Sequence, residues 1–229
     1  MLKKIGAACL AVATVVTLGA CATRAPSEYI VLYYKAGAGD NKKFGECIEP
    51  GTDGKYPYDD EIFYLPTSLR TWAVLPEGGD SNQFFTVASA PDTKTKQPGP
   101  QMGVWVTVDF YLNTNCAKGK DSPIVQFWEK TGRRPWKDGK GIATAGEDGF
   151  NEDAWRAMLQ AILVPVELGV LNEEARKYQA DDLDSGKDGL WTKMEQAIGP
   201  AFNASLKTKV GGDYFCGSSY NRSVDTCPA

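Results

Sequence analysis

The side chain that carries most proton transfer near neutral pH is missing. The chain has no histidine, which removes Ser-His-Asp, Cys-His and histidine–metal chemistry together. Any chemistry falls to carboxylates, lysine or tyrosine. The most ordered carboxylate spacing is Asp184, Asp188 and Glu195, which stand first, fifth and twelfth in a segment with Gly189 sixth. A calcium loop needs such an array: hard oxygens around the ion, a glycine for the sharp turn and a closing bidentate carboxylate. Gly186 in the third place supplies no side-chain oxygen, and Trp191 stands where an aliphatic residue is usual. The plainer expectation is a polar loop whose Asp188 caps a helix starting at Leu190. Asp59-Asp60-Glu61 would need a second carboxylate across a cleft for acid–base work; between Pro57 and an apolar segment it reads as a solvated turn. Trp128 and Trp136 flank Arg133 and Arg134, a set that can stack on sugar or peptide. Alternatively, the tryptophans close a core and the arginines face water. These patterns assign no catalytic residue, no cofactor and no metal beyond the weak calcium candidate.

The remaining reactive groups are six cysteines: Cys9, Cys21, Cys47, Cys116, Cys216 and Cys227. Their meaning depends on the first thirty residues. Lys3 and Lys4 open the chain, and an uncharged apolar run of about 14 residues, 5–18, follows. That is the length of a signal-peptide core and short of the ~20 residues that span a bilayer. Leu18-Gly19-Ala20-Cys21 then resembles the bacterial lipobox, in which the cysteine thiol is diacylated and the peptide is cut just before it. The resemblance implies a signal peptide over 1–20, a lipidated tether over 21–28 and a mature chain held to the bilayer through Cys21. Two acyl chains give a stable anchor where one is marginal. Four cysteines then remain, in a compartment that permits disulfides. Cys216 and Cys227 bracket a short polar loop and are expected to pair, leaving Cys47 with Cys116. No CxxC pair is present, which argues against zinc. The sequons at Asn203 and Asn221 are discounted for a bacterial protein.

Losing Lys3 and Lys4 with the leader takes the formal charge from −4 to −6. A mildly acidic chain is a poor partner for nucleic acid or anionic lipid. About 209 mature residues can bury a substantial core.

Hydropathy patterning predicts strands first and helices later, an α+β fold with a mostly antiparallel N-terminal half. Strands are expected in "EYIVLYYKAG" (Glu28 to Gly37), around Phe44 to Ile48, and twice in "EIFYLPTSLRTWAVL", broken at Pro66. Another is expected in "NQFFTVASA". In "GVWVTVDFYLNTNC", Val104, Val106, Val108, Phe110 and Leu112 alternate with less apolar neighbours and predict a single strand. Ser122-Pro123 starts a short helix that Gly132 ends. Trp155, Met158, Leu159, Ile162 and Leu163 mark a helix that Pro165 should kink or break. Leu190, Trp191, Met194, Ile198 and Phe202 mark another, interrupted at Gly199-Pro200. "GGDYFCG" reads as a turn into a last strand.

This order of elements resembles the SPFH or band 7 family of stomatins, prohibitins and flotillins. The stretches that carry it are "YIVLYY" behind a membrane anchor, "FYLPTSLRTWAV", "NQFFTVASA" with "QMGVWVTVDFYLN", the helix "PIVQFWEKTGRR", and the helices "WRAMLQAILVPVELGV" and "LWTKMEQAIGPAFNASL". The resemblance implies an SPFH-like domain over 29–215, followed by a disulfide-closed tail over 216–229. It further implies a non-catalytic, membrane-attached scaffold, cellular or phage-encoded, which organises or restrains other membrane proteins and forms homo-oligomers. The lipid anchor and the disulfides, not the resemblance, place it on the extracytoplasmic face of a bacterial membrane, whereas many relatives face inward. No heptad run like the family's coiled coil follows Tyr214. Two other readings stand beside it. One is a solute- or glycan-binding lipoprotein with a pocket lined by several of Trp72, Trp105, Trp128 and Trp136. The other is an envelope hydrolase, disfavoured by the missing histidine.

Overall fold

The computed structural model describes residues 21–37, 42–56, 60–75, 84–145, 149–223 and 226–227. The expected signal peptide therefore lies outside the described residues, as do Pro57 and Asp59.

The strands are β1 (Cys21–Arg24), β2 (Tyr29–Lys35), β3 (Lys43–Ile48), β4 (Asp53–Tyr56), β5 (Glu61–Pro66), β6 (Arg70–Val74), β7 (Phe85–Ala88), β8 (Gln101–Val104), β9 (Val106–Leu112) and β10 (Phe215–Cys216). They form two three-stranded antiparallel sheets, β3-β2-β5 and β10-β9-β6, and two paired ribbons, β1-β4 and β7-β8. The helices are α1 (Pro123–Phe127), continued by a π turn over Trp128–Gly132, then α2 (Glu152–Ala175), α3 (Ala180–Ser185) and α4 (Leu190–Val210). β1 to β9 precede the helices and only the two-residue β10 follows them, so strands and helices are segregated along the chain and the fold is α+β.

The unbroken apolar run of β2 has a simple cause. The strand is central in its sheet and covered on both faces. Ile30, Leu32 and Tyr34 enter the main core, while Val31 and Tyr33 pack with Ala25, Ile48 and Tyr64 in a smaller one. A strand buried on both faces has no solvent side for polar residues to occupy. The main core is dense in rings: Phe63 lies 4.4 Å from Trp128, and Phe127 meets Tyr214 and Phe215 at 5.8 Å each. Trp72, Phe127 and Trp128 are among its largest fully buried side chains.

The structure corrects several expectations. The single strand predicted around Val104 to Leu112 is two. β8 pairs with β7, β9 pairs with β6 and β10, and the chain changes partner at Trp105. Neither proline ends its helix. α2 runs through Pro165 and α4 through Gly199-Pro200. Each proline deprives the carbonyl four residues earlier, at Ala161 and Gln196, of its helical donor. Ala161, Pro165, Gln196 and Pro200 are all exposed, so water can satisfy those carbonyls. α2 is long and apolar enough to cross a bilayer by length and composition. Here it is a core helix, packed against α4 and β7, with Glu167 and Glu174 both buried. Asp188 does not cap α4. It adopts a left-handed backbone (φ 55°), and Gly189 takes the cap position without a side-chain bond. The tether expected over 21–28 is a strand over its first four residues, because Cys21 to Arg24 find hydrogen-bonding partners along Tyr56 to Asp53. The boundary expected at 215/216 falls inside β10, whose Cys216 pairs with Tyr111.

Both expected disulfides form. Cys47–Cys116 ties β3 to the segment after β9 across 69 residues, and Cys216–Cys227 closes 11. Asn113 and Asn115 reinforce the tail by donating to the carbonyls of Asp213 and Arg222 at 2.9 and 3.0 Å. A longer closed loop removes more entropy from the unfolded chain. Replacing Cys47 and Cys116 together with alanine should cost about 4 kcal/mol, and the same change at Cys216 and Cys227 about 3 kcal/mol. Urea unfolding of the two double variants checks the order; a larger loss from the short loop contradicts it.

Candidate functional site

α2 buries a stripe at helical spacing: Leu163, Val166, Glu167, Val170, Leu171, Glu174. Two of these are acids. Glu174 is partnered, by Lys177 Nζ at 2.5 Å and the Tyr178 hydroxyl at 3.2 Å. Glu167 is not fully partnered. It is 2% exposed, and its Oε2 accepts from Trp72 Nε1 at 3.3 Å. Its Oε1 is buried with no hydrogen-bond partner among the described residues. Burial pushes its carboxyl up to about 7, against a smaller lowering by the Trp72 bond.

Glu167 belongs to the wall of a groove of about 570 Å³ between β9, α2 and α4. Val106 and Val108 of β9, Leu163 and Val170 of α2, and Met194 and Phe202 of α4 make its apolar surface. The β9 valines are only half-buried, so that end of the strand's inner face is incompletely covered. Trp105 and Trp191 also line the groove, and they are two of the few large apolar side chains left exposed, at 54% and 47%. Trp105 stands out because it sits at the break between β8 and β9. Trp191 follows from the first turn of α4, on the same helical face as Glu195, Ile198 and Phe202. Among the described residues no lysine or arginine lines the groove. Asp109 borders it, but alternation along β9 turns its side chain to the opposite face, where Thr71 Oγ1 donates to it at 2.6 Å.

The residues singled out by sequence are dispersed. Asp184 lies in α3, Asp188 in the 3-10 turn after it and Glu195 in α4. Among the described residues no three His, Cys, Asp or Glu side chains gather to hold a metal. The calcium reading is therefore corrected: a helix end, a left-handed turn and a new helix replace the single coordinating loop. Asp60 accepts from the Ala36 N–H at 2.7 Å and from the Tyr33 hydroxyl, and Glu61 pairs with Lys42 at 2.5 Å. Those acids bind groups on and beside β2 and β3, the other strands of their sheet. Trp128 is core, Trp136 is half-buried and donates to the Thr131 carbonyl at 2.8 Å, and Arg133 and Arg134 are exposed. Of Trp72, Trp105, Trp128 and Trp136, several of which the aromatic-pocket reading needs, Trp105 lines the groove. Trp72 and Trp128 are interior, and of the four only Trp105 and the wall contact of Trp72 with Glu167 concern the groove. Cys21 opens β1 opposite Tyr56. Sequence reasoning missed Glu167, although an acid four residues after Leu163 on an apolar stripe was visible in the pattern.

No family model matches this chain, and no curated protein matches it.

Glu167 makes stability pH-dependent. Between about pH 4.5, where it titrates when unfolded, and about pH 7, the native state keeps a proton that the unfolded chain has released. Its contribution to unfolding free energy thus falls as pH rises through this window, by about 3 kcal/mol in all, and is flat above it. Glu167→Gln should flatten that fall, shown by urea midpoints at pH 5 and pH 8. Equal pH slopes in the two proteins would remove Glu167 from the account.

Proposed function

We propose that this chain is a lipid-anchored, non-catalytic binding protein on the extracytoplasmic face of a bacterial membrane, and that it receives an apolar ligand in the groove between β9, α2 and α4. The observation that carries the reading is an apolar groove of about 570 Å³ with two exposed tryptophans along it. Ligand sites are concave, mostly apolar and of this size, with a few placed polar groups. The polar group placed in that wall is Glu167, which accepts a hydrogen bond from the Trp72 indole. The anchor rests on Leu18-Gly19-Ala20-Cys21, and the two disulfides fit an oxidising compartment.

An SPFH-like scaffold is the second reading. The observation favouring it is the order of elements: an antiparallel β half followed by a helical half behind an N-terminal anchor sequence. In that reading the exposed Leu69 and Phe84 belong to protein contacts rather than to a ligand site.

Two measurements test these readings. Cys21→Ser should lose fatty-acyl label and move from the membrane pellet to the soluble fraction; a variant that stays labelled and sediments as before refutes the anchor. The soluble variant should bind the neutral apolar probe N-phenyl-1-naphthylamine at one site. Ile198→Arg, at a half-buried position on the groove wall, should weaken that binding about tenfold or more. Binding unchanged by the arginine rejects the groove. A large homo-oligomer that takes up no probe shifts the assignment to the scaffold.

A further inference from the structure

We propose that the groove selects a small, freely diffusing amphipathic amine, an alkyl or aryl body bearing a cationic nitrogen, over a neutral or anionic molecule of the same shape. This rests on the groove being the binding site. The apolar walls alone would take any greasy molecule of suitable size. Selectivity comes from the polar groups placed among them. Glu167 is held in the wall by Trp72, with Oε1 left without a partner. A buried oxygen without a donor is costly, and a cationic N–H reaching it would restore a charge-assisted bond. Glu195, on the groove side of α4, adds a second acid, and among the described residues no basic side chain lines the groove to attract an anion. Trp105 and Trp191 offer indole faces, which attract cations through the ring quadrupole. A carboxylate-bearing ligand would instead bring its charge against Glu167 with no compensating cation. The volume of about 570 Å³ suits one small ligand and is the reason for choosing a diffusible amine over a two-chain membrane lipid.

The test uses three probes with the same chain and different ends: octylamine, octanol and octanoate. The full chain in lipid nanodiscs is titrated with each at pH 8, following tryptophan fluorescence, with empty nanodiscs as blank. Octylamine should bind about tenfold or more tighter than octanoate, with octanol between them. Glu167→Gln should erase most of the preference for octylamine over octanoate; circular dichroism establishes that the variant is folded. If all three probes bind equally, or if octanoate binds best, amine selection is overturned and the binding reading survives. If none perturbs the tryptophans at millimolar concentration, both fall. The probe series on the unmodified chain decides the matter even if the glutamine variant fails to fold.

Discussion

Burial of one face of α2 is the constraint on which the rest of this structure depends. The helix meets β9 through Trp155 and Phe110, whose rings stack at 6.2 Å, and it meets β6 through the Trp72–Glu167 bond. It also packs along β7 and α4. The sheets are short, and β10 has only two residues. Strands of that length do not hold together by ladder hydrogen bonds alone. They are kept in place because Trp72, Phe110 and Phe215 lose contact with water against the helical layer. The groove exists for the same reason. Along β9, Phe110 and Leu112 are buried but Val106 and Val108 only half-buried, and that less covered length of β9 becomes the floor of a concave surface walled by α2 and α4.

Within that packed face, Glu174 and Glu167 show two ways to treat an acid. Glu174 lies near the end of α2, where Lys177 and Tyr178 in the following turn can reach it. Glu167 sits two turns earlier, with an indole as its hydrogen-bond donor and a carboxyl pushed up to about 7. A leucine of similar bulk at that position would avoid the desolvation cost. Retaining an acid there sacrifices stability at neutral pH, a pattern expected of sites whose polar groups serve a ligand rather than the fold.

Much of the architecture was legible because apolar periodicity reports burial directly. The two-faced burial of β2 made an uninterrupted run, and the helical stripe of α2 was readable from Trp155 to Leu163. Local breakers were less reliable guides. Pro165 and Pro200 sit on exposed faces, where an unpaired carbonyl is answered by water, so their cost was too small to end helices already held by packing. The break at Trp105 was hidden for a related reason. Alternation continues through it in the sequence, and only the change of strand partner, a tertiary event, divides β8 from β9. The disulfide pairing was readable from spacing. The groove was not, since it is set by how far two helices extend over a sheet, and no local pattern encodes that distance.

The C-terminal tail shows how oxidation and the groove are joined. Cys216 is both the last residue of β10 and part of the groove wall, and Gly217 and Ser218 continue that wall. The disulfide to Cys227 closes the tail onto β10, and Asn113 and Asn115, in the segment that continues β9, donate to the tail carbonyls of Asp213 and Arg222. Cys47–Cys116 secures the same region from β3, because Cys116 follows Asn115 directly. Both covalent links therefore converge on the end of β9 and the strand beside it. A two-residue strand has too few ladder bonds to resist fraying. With β10 tied at Cys216 and the segment after β9 tied at Cys116, this side of the groove is held covalently, and the proposed ligand would spend less of its binding energy on ordering it.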